Sequence, residues 1–358
     1  MMRRNSEHLR GAHRGFVAIV LIAVICTVAA TWFVTSLGAN AVRNERDRKT
    51  TAALAQAKQA LIGRSAIDQS LPGSLPCPDM KTNIAGSNIP NDGIADLFAG
   101  IHCPSYVGRL PWRTLGLADV RDADGERLWY ALSPNFRDYA SQVLINDTAT
   151  GTLSVSETAT TTNVVAIVFS PGATLGGQVR DSGTNQNNVA NYLDGANASG
   201  TTAFVAQIAA GNFNDRLLTI TVADIMASAE RRVANEIKAA LNRFFLANSV
   251  LPGPASAADW TCQPNGDQTL CLPSGSLTPG ILPRNVSPGA GWPGTTFPNW
   301  INSNWRTSVT YAVAPECTSL PACSNTTFSA VTDAGVFTPK VTLIVGTVRR
   351  FTVRIFAQ

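Results

Sequence analysis

Residues 130–134, Tyr-Ala-Leu-Ser-Pro, and residues 311–315, Tyr-Ala-Val-Ala-Pro, decide how this 358-residue chain is read, because each closes a similar run of landmarks. Upstream of both lie a stretch with helical periodicity, a Leu-Pro-Gly, a pair of cysteines and a Leu-Pro; downstream of both lies a β-rich run. The corresponding landmarks are 180 residues apart for Leu71 and Leu251, 172 for Leu110 and Leu282, 181 for Tyr130 and Tyr311, and 177 for Val164 and Val341. Shared order at a near-constant offset reads as an internal duplication of one helix-then-sheet unit. Alternating strands close each copy, Arg216-Leu-Leu-Thr-Ile-Thr-Val222 and Arg350-Phe-Thr-Val-Arg-Ile-Phe356, and their period of two suits an antiparallel sheet with one covered face. The first copy also holds a polar stretch from Gly176 to Asn214, rich in Asn, Gly and Ser, expected to be a surface loop.

The two helices are written in the spacing of apolar residues. Ala53, Leu54, Ala57, Ala60 and Leu61 recur at helical intervals in a Pro-free stretch from Ala41 to Ile67, with Arg46, Arg48 and Lys58 between them. Ile225, Met226, Ala229, Val233, Ile237, Leu241 and Phe244 do the same between Val222 and Asn248, with Thr221 placed to cap the start and Asp224 three residues on. Both patterns stop before Leu-Pro-Gly, where proline removes a backbone donor and glycine admits positive φ. The fold class expected is α+β: a long N-terminal helix, transmembrane and then amphipathic, followed by an antiparallel sheet and a second helix-plus-sheet copy.

Residues 16–37 hold no ionisable side chain except Cys26, and about 20 apolar residues suffice to cross the hydrocarbon layer as a helix. The net charge of +4 is concentrated just before them, where Arg3, Arg4, Arg10 and Arg14 outweigh Glu7. Arginines before the run and Trp32 near its far end place the N-terminus in the cytoplasm by the positive-inside rule. The expectation is a single-pass inner-membrane protein whose later residues face the periplasm or the exterior. Its parts would be a basic leader (1–15), a membrane span (16–37) and two helix-plus-sheet units (38–221 and 222–358). A cleaved secretory signal ending near Ala39-Asn40-Ala41 is the rival reading. Nucleic acid is excluded as a partner, because the basic cluster precedes an apolar run and does not sit on the folded part.

Of seven cysteines, the six beyond the apolar run make an even set suited to an oxidising compartment. Sequence neighbours suggest Cys77 with Cys103, Cys262 with Cys271, and Cys317 with Cys323, although six cysteines permit fifteen connectivities. Zinc is disfavoured by the lack of any Cys-x-x-Cys and by the single histidine, His102, after the apolar run.

A charged leader, Gly15-Phe16, an uninterrupted apolar run passing into an amphipathic helix, and a cysteine-bearing β domain: this order resembles the type IV pilins and type II secretion pseudopilins. Asp124-Gly125-Glu126-Arg127-Leu128-Trp129-Tyr130, leading into a strand, is similar to a feature of many family members. The resemblance covers about residues 10–175. It implies cleavage by a prepilin peptidase between Gly15 and Phe16, methylation of the new N-terminus, and other pilin or pseudopilin subunits as partners beside the membrane. Major pilins carry glutamate at the fifth mature position, which here is Val20. A neutral residue there resembles the minor subunits that initiate or tip a filament, so the function expected is a minor pilin or pseudopilin-like structural subunit. The alternative is a membrane-anchored periplasmic binding or adhesin-like protein that never enters a filament.

Catalytic chemistry finds no support in the pattern. His102 adjoins Cys103 and lacks a nucleophile partner, and no glycine-rich nucleotide loop occurs, so the chain reads as a non-enzyme without an obligatory cofactor. Asp119, Asp122, Asp124 and Glu126, with Asp92 and Asp96 upstream, could supply the oxygen ligands calcium prefers, but Asp122 and Asp124 before Gly125 fall short of an EF-hand loop. A polar turn is the simpler reading. Trp260, Trp292, Trp300 and Trp305 cluster in a Gly-, Pro- and Asn-rich stretch, where core packing competes with the binding of sugars or protein partners.

Overall fold

The computed structural model describes residues 9–80, 91–139, 144–181, 183–207, 211–248, 254, 280–282, 300–313, 329–331, 337–339, 341–346 and 349–352. The chain divides into two compact units, Met1–Ala52 and Ala53–Gln358, so the expected boundary at 221/222 falls inside the second unit.

Helix α1 is one continuous helix, Leu9–Ile67, of 59 residues. The membrane span expected at 16–37, and the single-pass inner-membrane localisation drawn from it, require correction: among the described residues no helix is long and apolar enough to cross a membrane. A span needs about 20 consecutive apolar residues. The described side chains of α1 in this unit run from Val24 to Thr27 and from Asn40 to Ala52, the latter exposed except for buried Thr50 and carrying Arg43, Glu45, Arg46, Asp47, Arg48 and Lys49. The other side chains of 16–37 lie outside the described residues, as do the leader residues 1–8.

The second unit is α+β. Its main sheet comprises β1 (Val107–Arg109), β2 (Trp129–Leu132), β3 (Leu153–Ser156), β4 (Thr160–Ser170), β5 (Ala203–Val205) and β6 (Arg216–Thr221). The strand order is β1-β2-β4-β3-β5, with β6 also paired to β4. All pairs are antiparallel except β3 with β5. Neighbouring residues alternate between the two faces, as the pleat requires. Tyr130 and Leu132 enter one core with Val168 and Ile220, whereas Trp129 and Ala131 enter another with Ile167 and Phe169.

Two helices cover the first of these faces. From α1 come Ala53, Leu54, Ala57 and Leu61; from α2, Val222–Asn248, come Ile225, Ala229, Val233, Ile237 and Leu241. Thr221 and Asp224 form a reciprocal cap at the start of α2: the Thr221 amide donates to Asp224 Oδ2 at 2.9 Å and the Asp224 amide to Thr221 Oγ1 at 3.3 Å. Lys58 of α1 pairs with Asp224 at 3.1 Å. Arg232 of α2 donates to the carbonyls of Ala66 and Asp68, satisfying acceptors that the end of α1 leaves without intrahelical partners.

The Leu71-Pro72-Gly73 stop turns the chain back on the end of α1, where the Gly73 amide donates to the Ser65 carbonyl at 2.8 Å. Gly73 has φ +101°, and a Cβ placed on it would stand 2.7 Å from Ile145 Cγ2. Gly73→Ala therefore combines backbone strain with a steric clash and is expected to destabilise by about 1–3 kcal/mol. Urea denaturation of the purified variant measures this, and a change below a few tenths would contradict it.

The expected surface loop at 176–214 is not one. It packs Tyr192, Leu193 and Phe204 into the second face of the sheet and contributes β5 beside β3. The sheet is consequently covered on both faces, and the single covered face inferred from alternation at the strand ends does not hold for β2 and β4.

Downstream, β7 (Val309–Val313), β10 (Val341–Val345) and β11 (Arg349–Thr352) form a three-stranded antiparallel sheet in the order β11-β10-β7, and β8 (Ser329–Val331) pairs with β9 (Phe337–Pro339). The connections match those of the first half. Tyr130 of β2 pairs with Gly108 on one side and with β4 on the other; Tyr311 of β7 pairs with Gly280 on one side and with β10 on the other. Gly108 and Gly280 are followed two residues later by Leu110 and Leu282, both buried in the same core as Tyr130 and Tyr311.

Candidate functional site

The residues singled out by the sequence do not converge on one site. Cys77 and Cys103 are bonded, with their Cα atoms 5.5 Å apart and both side chains buried. Cys262, Cys271, Cys317 and Cys323 lie outside the described residues, as do Trp260 and Trp292. Trp300 and Trp305 are core residues. Gly15 and Phe16 are within α1.

The acidic turn at 119–126 is occupied by the protein itself. Asp122 is fully buried: its Oδ1 accepts the amides of Asp124 and Glu126, and its Oδ2 accepts Ser170 Oγ and the Gly172 amide, all at 2.8–3.0 Å. It staples the turn to the end of β4. Asp119 faces two guanidiniums, with Arg127 Nε at 2.9 Å and Arg121 Nη2 at 2.7 Å. Burial alone raises the Asp119 carboxyl, but the bonds and charges of Arg127 and Arg121 outweigh it and hold the group below the usual carboxylate range. Among the described residues no group of three or more His, Cys, Asp or Glu is arranged to hold a metal ion.

The feature that the sequence did not disclose is an arginine-lined cleft of about 380 Å³, bounded by Asn91, Arg109, Arg121, Arg127, Arg180 and Tyr192 together with Glu126, Asp181 and Gln186. Strand β1 presents Arg109, the acidic turn presents Arg121 and Arg127, and the 176–214 segment presents Arg180 and Tyr192. Two guanidiniums stand over the Tyr192 ring, Arg109 4.4 Å and Arg180 5.0 Å from its centroid, and Arg109 is also 5.2 Å from the Trp129 centroid. Such stacking of delocalised cations on aromatic faces is favourable when the site is partly desolvated.

The four arginines differ in how far the protein already satisfies them. Arg121 and Arg127 are engaged by Asp119, by the Gly125 carbonyl and by the Asn91 carbonyl. Arg180 donates to the carbonyls of Asn191 and Gly172 and to Gln178 Oε1, and lies 3.4 Å from Glu126. Arg109 is 6% exposed and donates from Nη2 to the Gln186 carbonyl at 3.0 Å, and among the described residues its buried Nε has no acceptor. Burial lowers its pKa from the ordinary guanidinium value. Nothing local marks these residues as neighbours, because Arg109 and Arg180 are 71 positions apart and follow no shared period; only Arg121 and Arg127 lie close enough in sequence to have hinted at a cluster.

Behind the cleft sits a buried acid. Asp79 pairs its backbone with that of Arg109, and its side chain accepts the amides of Asn91 and Gly93. Burial pushes the Asp79 carboxyl up to about 7, the Gly93 amide opposing and Asp92 and Asp96 adding to the rise. Burial likewise raises Asp215, beneath the 176–214 segment, to about 7 against its bonds from Asp194 and Asn197. Both groups hold protons in the folded state that the unfolded chain releases near pH 4, so their contribution to stability declines as pH rises from about 4 to about 7. Asp138, raised to about 6 by burial and by Asp68, acts in the same sense. Asp68, Asp119 and Asp224 are lowered and lose their contributions only below the ordinary carboxylate value, outside that window. Urea midpoints are expected to be lower at about pH 8 than at about pH 5, and Asp215→Asn to narrow the difference. A difference left unchanged by the substitution would assign the pH dependence elsewhere.

No family model, no curated protein and no solved structure matches the chain.

Proposed function

We propose that the chain is a non-enzymatic subunit of the type IV pilin and pseudopilin kind, acting where a filament begins or at its tip. The observation that carries the reading is α1. It is 59 residues long, and within the second unit it buries Ala53, Leu54, Ala57 and Leu61 in the core. Helices in proteins draw most of their stability from the packing of a face rather than from propensity. A helix of this length has room beyond those four residues to pack against the helices of other subunits. The cysteine bond directly after the helix, which persists where thiols are kept oxidised, and Val20 in place of a glutamate further support a minor subunit. Its partners are then other pilin or pseudopilin subunits and a prepilin peptidase that cuts before Phe16.

The test is the intact mass and N-terminal sequence of the protein purified from its host, compared with a host lacking prepilin peptidase. The expected chain begins at methylated Phe16 and is absent from the control. A chain beginning at Met1 would remove the filament reading and leave a binding protein; one beginning at Val42 would mean that a secretory signal had been cleaved.

A further inference from the structure

We propose that Arg64, Asp68 and Asp138 form a proton-controlled latch, which holds the 136–139 segment against the end of α1 while Asp138 is protonated and loosens it when Asp138 ionises. The latch operates whether or not the chain enters a filament.

Two carboxylates converge here on one cation. Arg64, in the last turn of α1, donates from Nη1 to Asp68 Oδ2 at 2.9 Å and from Nη2 to Asp138 Oδ2 at 3.4 Å. The two acids are not equally served. Asp68 is 5% exposed, and its Oδ1 also accepts the Ser70 and Leu71 amides and the Ser70 hydroxyl at 2.8–3.1 Å. Asp138 takes the longer contact with Arg64. One guanidinium offsets one of two neighbouring anions, so the acid with the weaker set of donors is the one that keeps a proton. Burial, and after it Asp68, push the Asp138 carboxyl up to about 6 against the pull of Arg64. Burial acts on Asp68 in the same direction, but the Leu71 and Ser70 amides and Arg64 outweigh it and hold that group below the usual carboxylate range.

The other charges around the cluster are turned elsewhere. From α2, Arg232 spends its Nη1 on the carbonyls of Ala66 and Asp68, and Arg231 and Glu236 line the groove beside Ala66. Arg137, next to Asp138, donates to the carbonyls of Ile101 and Pro134.

Asp138 sits where its charge acts on backbone pairing. The Leu75 amide donates to the Phe136 carbonyl at 2.8 Å and the Asp138 amide to the Leu75 carbonyl at 3.0 Å, which ties the segment to the stretch that follows α1. Tyr139 meets Phe98 edge-on, with centroids 4.9 Å apart, so the segment also braces the disulfide-closed loop. A neutral Asp138 leaves Arg64 one anion to balance. An ionised Asp138 sets a second negative charge beside Asp68 in a partly buried site, and these local bonds bear the repulsion. Because its carboxyl is raised, the contribution of Asp138 is largest in acid, declines as pH rises from about 4 and is gone above about 6. Such an opening is local and leaves the centre of the sheet closed.

Hydrogen exchange of the full, disulfide-bonded chain, corrected for the intrinsic pH dependence of exchange, tests the latch in peptides covering 71–76 and 134–139. Their protection relative to β4 is expected to fall by about tenfold or more between about pH 4.5 and about pH 7.5. Asp138→Asn cannot ionise, and its protection is expected to stay within about threefold over the same range. No fall in the unaltered chain would overturn the proposal. So would an equal fall in the variant, which would assign the effect to Asp79 or Asp215. Should the variant fail to fold, the carboxyl carbon resonance of Asp138 in the unaltered chain decides: its titration and the loss of protection are expected to share a midpoint, and midpoints more than about one pH unit apart would overturn the latch.

Discussion

Replacing Cys77 and Cys103 together by alanine is expected to lower the unfolding free energy of the unit 53–358 by about 3 kcal/mol. The bond closes a loop with a sequence separation of 26, and tying such a loop in the unfolded chain is worth about 3–4 kcal/mol on a chain-entropy account. Both side chains are buried in the core that also holds Leu75, Leu110 and Leu128, so alanine leaves a small void in addition. The closed loop also holds Asp79, Asp96 and Asn91, which brace the back of the arginine cleft through Met80, Gly93 and Arg127. Losing the bond should therefore loosen the cleft before the rest of the sheet, seen as faster amide exchange in 91–103 than in β4. Urea denaturation gives the magnitude. A loss below about 1 kcal/mol would mean that the unfolded chain is already compact around this loop.

Asp122→Ala is expected to cost a further large amount, about 3 kcal/mol or more. One buried carboxylate accepts four hydrogen bonds, so truncation strands the Asp124, Glu126 and Gly172 amides and the Ser170 hydroxyl at once. Asp122→Asn keeps one accepting oxygen and turns the other position into a donor facing donors, so its cost should fall between alanine and the native residue. With both oxygens of Asp122 occupied, calcium is expected to leave the melting temperature unchanged. A calcium-dependent rise abolished in Asp122→Ala would restore the cation reading of this turn.

Much of this protein was written locally. The 3.6-residue spacing of Ala53, Leu54, Ala57 and Leu61, and of Ile225, Ala229, Val233 and Ile237, located both helices and the faces they bury. Thr221 and Asp224 announced a cap, Leu71-Pro72-Gly73 announced a stop, and neighbouring cysteines suggested the Cys77–Cys103 bond. The matching Tyr-Ala runs lie on strands, Tyr130 paired with Gly108 and Tyr311 with Gly280, a correspondence that the landmarks alone did not state.

Other features were decided only when distant residues met. The 176–214 segment reads as a polar loop because its few apolar residues, Tyr192, Leu193 and Phe204, obey no period; they are buried because the second face of β2 and β4 needs a cover, and that need is invisible in the segment itself. The apolar run 16–37 satisfies a length rule for a span, whereas among the described residues no helix is long and apolar enough to cross a membrane. The acidic turn read more simply as a polar turn than as a ligand set, but that Ser170 and Gly172, 48 and 50 residues away, would fill the lone pairs of Asp122 was not visible in it. The arginine cleft likewise assembles from a strand, a turn and an insertion whose sequences carry no common signal. Periodicity records which face of an element is apolar, a property of neighbours along the chain; what lies against that face, and which charges remain unpaired there, are properties of tertiary contact alone.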